Sequence, residues 1–376
     1  MNFFHYFKSR KGEILNLLKE LVQLESPSTD KKAVNKCSSF IVQEFKKNGA
    51  KVTRFPQDEI GDLYVAEYPP KKPKERQDQI LLLTHIDTVW PVGKIDEMPF
   101  YFSENKLFGP GVLDMKAGIV MAASALKALN NLNIIPDKKI VLFVNSAEEI
   151  GHKNSYEIIQ KLAKRSALAL CLEPAIPGGA LKIQRKGRLA IQLTVTGKSS
   201  HAGYPELGVN AIEELMFQCL NLKKLRTKNT SLNIGLITGG EKANIVAEKA
   251  SAVLDIRFWN NEQKENILYF FKNLAPHLKG AKIKYKVESL TPPMEQTKGS
   301  LQLLNEVQKI ADSLNLTFET GKSGGGSDAS IASNMRVPTL DGLGPDGDGM
   351  HAEHEHLILP SLIERTAFLT ELLCRL

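Results

Sequence analysis

Hydrophobic positions along this chain switch repeatedly between helical and strand spacing. Ile14, Leu17, Leu18, Leu21 and Val22 recur at helical intervals among Lys and Glu, which predicts a first amphipathic helix. A second helical pattern covers Asp30 to Asn48, and strands are expected near Lys51 to Phe55 and Leu63 to Tyr68. After the polar connection "PPKKPKERQ", Ile80 opens the run "ILLLTH", whose successive aliphatic residues suit a strand covered on both faces. A loop, "GPGVLDMKAG", feeds a helix through "IVMAASALKALNNL"; a strand in "KKIVLFVNSAEE", a helix after Asn154 and a strand in "ALALCLEP" follow. Strands alternating with helices predict an α/β domain with a largely parallel sheet.

Around Pro177 the texture changes. "IPGGALKIQRKG" is rich in Gly and Pro, and beyond it "LAIQLTVTG", a helix in "GVNAIEELMFQCLNLKKL", "SLNIGLITGG", "SAVLDIRFW", a helix near Glu262 to Ala275 and "KIKYKVES" give a strand-helix-strand-strand-helix-strand order. This reads as a small α+β sandwich inserted into the first domain. "SLTPPMEQ" is the expected return, after which a helix from Ser300, a Gly-rich turn and a strand in "VPTLDG" resume the first texture. The expected division is 1–180 with 293–376 for the outer domain and 181–292 for the insert.

Composition changes this picture little. With 42% hydrophobic and 24% charged residues the 376-residue chain is of ordinary globular type, long enough for two domains. No apolar segment approaches the roughly 20 residues of a membrane span, and the N-terminus lacks the apolar core and cleavage site of a signal peptide. A soluble cytoplasmic protein is the expectation. Cys37, Cys171, Cys219 and Cys374 form no CxxC pair, so neither a disulfide framework nor a thiolate metal site is expected. The formal charge of +7 is spread over short groups such as "KKPKER", which argues against a nucleic-acid surface.

The informative feature is chemical. His85 and Asp87 end the "ILLL" strand, Glu148 and Glu149 follow "IVLFVN", Glu173 follows "LALC", and Asp114 lies in the loop entering a helix. In parallel α/β sheets the carboxyl ends of the strands share one edge, where ligands bind. Carboxylates gathered there repel one another unless cations join them. Imidazole plus carboxylate without thiolate suits Zn²⁺, and also Mn²⁺ or Co²⁺. A second histidine for such a site is His351, in "GDGMHAEHEH". Taken singly each feature has an ordinary reading: a hydrogen-bonded His-x-Asp pair, a solvated Glu-Glu turn, a strand stop before Pro174, a surface histidine tract. Their coincidence at corresponding strand ends favours the metal reading.

"THIDTVWPVG", "GPGVLDMKAG", "NSAEEIG", "CLEP", "GKSSHAG", "GGEKANIV", "SGGGSDA" and "GMHAEHE" occur in an order and at spacings that resemble the M20 family of metallopeptidases. Most similar is its glutamate carboxypeptidase (carboxypeptidase G2-like) branch. The resemblance implies a three-layer catalytic domain with a mostly parallel sheet and a two-metal site, plus an inserted lid domain that also dimerises. It implies two Zn²⁺ ions, one held by His85 and Glu173, the other by Glu149 and His351, with Asp114 bridging them and a cis bond between Asp114 and Met115. Asp87 would orient His85, Glu148 would be the general base, and His201 would reach the oxyanion from the neighbouring subunit.

The resemblance also implies substrate-carboxylate contacts from Asn244, Arg257 and the Gly325, Gly326 and Ser327 loop. Arg257 alternates with apolar Leu254, Ile256 and Phe258, and pairing with Asp255 explains it equally well. His354 and His356 are expected at the surface or behind the ligands. Lys322 and Ser323 stand where the carboxypeptidase G2-like branch carries an Arg-Thr pair, and "QRKGRLA" differs from its lid entry, so preference for a C-terminal glutamate does not follow from the metal motif. The expected activity is zinc-dependent hydrolysis of an amide beside a free carboxylate, by a homodimer acting on a small acyl-amino acid or peptide. The alternatives are an N-acyl amino acid deacylase of the acetylornithine deacetylase or aminoacylase sort, a dipeptidase, or a catalytically silent metal-binding scaffold.

Overall fold

The computed structural model describes residues 2–72 and 78–376; part of the polar connection read at 69–77, with most of its "KKPKER" group, lies outside the described residues. The chain divides into two compact units, Met1–Ile183 with Gln296–Ser323 and Ser327–Leu376, and Gln184–Glu295 with Gly324–Gly326. The expected crossings at 180/181 and 292/293 thus compare with 183/184 and 295/296, and the short glycine segment 324–326 groups with the inserted unit.

In the first unit a six-stranded sheet runs in the order 51–55, 63–68, 139–145, 79–85, 166–171, 339–340. The first two pairings are antiparallel and the remaining three parallel, so the sheet is mostly parallel. The strand Gln79–His85 is buried along its whole length, as its aliphatic run requires. Alternation divides its side chains between two layers. Ile80 and Leu82 join Leu142, Val144 and Leu170 in a core shared with the helices Lys11–Gln23, Lys31–Lys47, Ala117–Asn131 and Leu359–Arg375. The opposite face is covered by the helices Lys153–Ala163 and Asp328–Asn334, which pack on each other and on the strand Ser166–Cys171.

Local signals account for the element ends. The helix Lys31–Lys47 starts where the Asp30 carboxylate accepts from the backbone of Lys32 and Ala33, and Thr297 with Ser300 forms a capping box for Lys298–Asp312. The helices Phe3–Ser9, Asp328–Asn334 and Leu359–Arg375 are unassigned by the patterning above. The last of these is buried on several sides, through Leu362, Ile363, Phe368, Leu369 and Leu372, which blurs the single apolar stripe.

The second unit has a four-stranded antiparallel sheet in the order 231–239, 249–258, 187–196, 282–291. The helices Ala211–Leu222 and Asn261–Lys272 bury one of its faces, where Ile191, Leu193, Leu254, Ile256 and Phe258 meet Leu215, Ile267 and Phe271. Among the described residues no helix is long and apolar enough to cross a membrane.

Gly118, in the first turn of the helix Ala117–Asn131, is where that helix touches the chain leaving the strand Ser166–Cys171. A Cβ there would run into the Leu172 carbonyl oxygen and come within 2.9 Å of the Met115 side chain. Gly118→Ala should therefore destabilise the protein by about 1–3 kcal/mol, the usual cost of overpacking. A urea midpoint unchanged from wild type would show that the contact relaxes without cost.

Candidate metal centre

Parallel strands deliver the polar groups to one edge. His85 is the last residue of its strand and is paired in register with Asn145, the last residue of the neighbouring strand; Leu83 is in register with Cys171 on the other side. Glu148 and Glu149 therefore leave the sheet beside His85, and Glu173 does so two residues after Cys171. Asp114 comes from the loop before the helix Ala117–Asn131, where Asp114 and Met115 depart from helical angles and the bond between them is cis.

Asp114 stands between two imidazoles. Its Oδ1 lies 3.1 Å from His85 Nε2, and its Oδ2 lies 3.4 Å from His351 Nε2. Glu173 Oε1 is 3.4 Å from the same nitrogen of His85, and Glu149 Oε1 is 3.2 Å from the same nitrogen of His351. The expected ligand residues are thus brought together as two His-carboxylate pairs sharing Asp114. Glu148 approaches as well: ligand atoms of His85, Glu148 and Glu173 lie within 4.8 Å of one another, as do those of His85, Asp114 and Glu149.

Asp87 divides its duties differently from the simple expectation. Its backbone carbonyl oxygen is 3.1 Å from His85 Nδ1, closer than its carboxylate at 3.5 Å. The carboxylate accepts from the backbone N–H groups of Glu148 and Glu149, both at 3.2 Å, and from the Ser28 hydroxyl at 2.6 Å. Asp87 therefore holds His85 largely through its main chain, while its side chain fixes the turn that presents both glutamates.

The charges are unbalanced. Burial pushes the Glu148 carboxyl well above the usual carboxylate range, with His85 opposing and Glu173, Asp328 and Glu149 adding to the rise. Burial also raises Glu149, against the hydrogen bond from His351. Asp114 moves the other way: burial would raise it, but hydrogen bonds from both histidines outweigh that and hold it low. For His85, burial favours the neutral ring, yet Asp114, Asp87 and Glu173 together raise it. His351, half-exposed, is raised to about 10 by its hydrogen bonds to Asp114 and Glu149.

This donor set fits divalent metal. An ion bonded at about 2.0–2.1 Å in a tetrahedral shell separates adjacent ligand atoms by about 3.3–3.4 Å, and the four His-carboxylate separations are 3.1–3.4 Å. Nitrogen and oxygen donors without thiolate suit Zn²⁺, Co²⁺ or Mn²⁺. His351 has a positive φ of 62°, which a non-glycine residue holds only where its surroundings demand it.

In the second unit the expected substrate residues fall into two groups. His201 and Ile245 form a bridge, and Ala202 N–H donates to the Asn244 carbonyl at 3.0 Å, so His201 and Asn244 sit on adjoining loops. Arg257 donates to Asp255 through Nε at 2.7 Å and Nη2 at 3.4 Å, and Arg188 donates to the same carboxylate at 2.5 Å. The Gly325 and Gly326 carbonyls accept from the buried Arg185 at 3.2 and 3.0 Å. In the first unit Ser327 is buried, its hydroxyl donating to Asp341 at 2.7 Å while capping the helix Asp328–Asn334. That engagement makes it a support rather than the open substrate contact expected.

His356 is buried, with its ring against Phe108, while His354 is exposed. Three residues at the site escaped the sequence reading. Asn145 donates to the buried Asp328 at 2.8 Å, whose carboxyl burial lifts to about 7, and Glu355 anchors the Asp114 loop. Each lies inside a motif already singled out, "NSAEEIG", "SGGGSDA" and "GMHAEHE", but its partners come from distant segments.

Comparison with known proteins agrees with this architecture. The model of peptidase family M20/M25/M40 matches residues 81–375. Carboxypeptidase G2 of Pseudomonas sp. (strain RS-16) is 28% identical over 366 residues, 95% of this chain and 87% of that one. A succinyl-diaminopimelate desuccinylase of Pelagibacter ubique is 28% identical over 329 residues, 79% of this chain and 82% of that one. Among solved structures, a tripeptidase from Staphylococcus aureus matches with a TM-score of 0.79 at 21% identity, covering 97% of this chain and 98% of that one. A dinuclear metal-binding peptidase of the M20 family from Bacillus subtilis matches at 0.72 and 14% identity, covering 98% of each. With the family model spanning most of the sequence and the fold shared over nearly its whole length, the chain belongs to peptidase family M20/M25/M40 and is a hydrolase of that family.

Proposed function

We propose that this hydrolase is a two-zinc carboxypeptidase that cleaves an amide bond beside a free carboxylate and releases a C-terminal amino acid such as glutamate. The observation that carries the reading is Asp114, whose two oxygens face His85 and His351 separately. In this reading His85 and Glu173 hold one ion, Glu149 and His351 the other, and Asp114 is shared. Bound there, the ions would supply Lewis-acid stabilisation of the carbonyl and acidify water.

The remaining steps belong to side chains. Glu148 takes a proton from the attacking water and returns it to the leaving amine, the role of a general base held beside the ligands by Asp87. Asp87 keeps both Glu148 and His85 in place. His201 donates to the developing oxyanion. Asn244 and Arg257 receive the substrate carboxylate; with Arg188 also on Asp255, two guanidiniums face one carboxylate, and the surplus positive charge suits an anionic group. Gly325 and Gly326 form a loop whose carbonyls Arg185 steadies.

A homodimer is part of the proposal. The helix Ala211–Leu222 exposes Met216 and Leu220 at 60% and 59%, and the edge strand Ser231–Gly239 exposes Leu236 and Ile237 at 65% and 61%. An apolar, unpaired edge beside an apolar helix surface is a natural place for a second copy. The second reading is an N-acyl amino acid deacylase, favoured by Lys322 and Ser323 at the glycine loop and by the likeness to a desuccinylase. The silent-scaffold reading leaves Glu148, held by Asp87, without a task.

Glu148→Ala should lower kcat by about 10²- to 10⁴-fold, the usual worth of a general base, with metal content per chain unchanged. Loss of metal together with turnover would make Glu148 a ligand instead. A panel of acyl-glutamates, dipeptides and N-acetyl amino acids, run with zinc and then with chelator, should show chelator-sensitive release of a C-terminal residue. Preference for N-acetyl amino acids would establish the deacylase reading. Mixing His201→Ala with Glu148→Ala protein should restore part of the activity through heterodimers; verified subunit exchange without recovery would place His201 on its own chain's reaction.

A further inference from the structure

Three of the segments that present the candidate ligands, those of His85, Asp114 and His351, meet on one carboxylate. Glu355 is 1% exposed. Its Oε1 accepts from the backbone N–H groups of Leu113 and Asp114, at 2.9 and 3.0 Å. Its Oε2 accepts from the backbone of Gly111 at 2.9 Å and from the Trp90 indole at 3.0 Å. Trp90 lies on the chain leaving the His85 strand, and Gly111 to Asp114 form the loop that carries the shared aspartate. Glu355 itself ends two successive tight turns around His351: Gly349, with a φ of 82°, accepts from Ala352 N–H at 2.8 Å, and Glu355 N–H donates to the Ala352 carbonyl at 2.9 Å.

This geometry has a clear physical cause. Gly111 takes a left-handed conformation, φ 69° and ψ 13°, and the N–H groups of Gly111, Leu113 and Asp114 converge on the one carboxylate. Such a backbone concavity binds an anion, and leaving three buried donors unpaired would be costly. Here the chain supplies the anion from a distant segment. Close packing adds to the constraint: a Cβ on Gly111, whose φ is 69°, would meet the Thr88 methyl group at 2.5 Å. At the rim Lys94 pairs with Glu353 at 2.6 Å, although exposed pairs of this kind contribute little.

We propose that Glu355 is a positioning residue of the metal centre, locking the His85, Asp114 and His351 loops into register so that the oxygens of Asp114 meet both histidines. The proposal rests on the two-metal reading above. Its consequence is that metal affinity, rather than stability alone, depends on a residue that touches none of the ligand side chains' donor atoms. Glutamine cannot replace it, since an amide has one acceptor oxygen and turns an NH₂ group toward N–H donors.

The test is competition for Zn²⁺ and for Co²⁺ between the full-length protein and a chelator of known affinity, below the unfolding temperature. Glu355→Gln should weaken binding by about 10- to 100-fold, as loss of outer support for metal ligands commonly does, and should alter the visible absorption of the Co²⁺ form. Trp90→Phe, which keeps the three backbone contacts, should weaken it by less. Val307→Ala, in the helix Lys298–Asp312 and fully buried, is the stability control and should leave affinity and spectrum unchanged. Wild-type affinity in Glu355→Gln, or equal losses in Glu355→Gln and Val307→Ala at matched Tm, would overturn the inference. Wild-type protein that takes up no divalent ion would instead overturn the two-metal reading on which it rests.

Discussion

Four carboxylates, Asp114, Glu148, Glu149 and Glu173, stand within a few ångströms of two imidazoles at the edge of a buried sheet, and that concentration of negative charge governs the rest of the site. Protonation is one way to relieve it, and burial drives Glu148 and Glu149 in that direction. Bound cations are the other, and the 3.1–3.4 Å separations between donors are compatible with the edges of a metal's coordination shell. A fold that merely sought stability would place apolar side chains here, because buried ion pairs seldom repay their desolvation.

The sheet makes the arrangement possible. Parallel strands bring the chain back to the same edge each time, so residues far apart in sequence leave the core side by side, as His85 and Asn145 do in register. Helices on both faces keep the strand Gln79–His85 wholly buried, and the rigidity of that packing carries to its last residue. What the strands do not supply, the loops must hold by hydrogen bonds: Asp87 presents the two glutamates, and Glu355 gathers the backbone around Asp114.

Much of the fold was legible in the amino-acid order because local rules carried it. The strands Lys51–Phe55 and Leu63–Tyr68 fall where alternation and turn residues put them, and the helix Lys31–Lys47 begins at the Asp30 cap. The helix Leu359–Arg375 was harder, since burial on several sides erases the amphipathic stripe on which periodicity depends. The short strands 101–103, 106–108, 347–348 and 356–358 form a sheet in which two local pairings are joined by one distant pairing, between 106–108 and 356–358. His356, polar in sequence and buried in that sheet, belongs to the same class.

By itself the sequence determined which residue types end the strands, and therefore the donor chemistry: imidazole and carboxylate at the close of apolar runs, with no paired thiolates. It also determined the alternation of elements that makes a mostly parallel sheet with an inserted antiparallel one. Only the tertiary structure decided which oxygen of Asp114 faces which histidine, that Asp87 reaches His85 mainly through its backbone, that Ser327 is turned into the core, and that Glu355 occupies the nest beneath Asp114. The reason is physical. Periodicity and motif spacing report on neighbours along the chain, whereas most of these contacts join groups from distant segments, and those of Asp87 with His85 and of Glu355 with the Asp114 loop use backbone groups that carry no sequence signal.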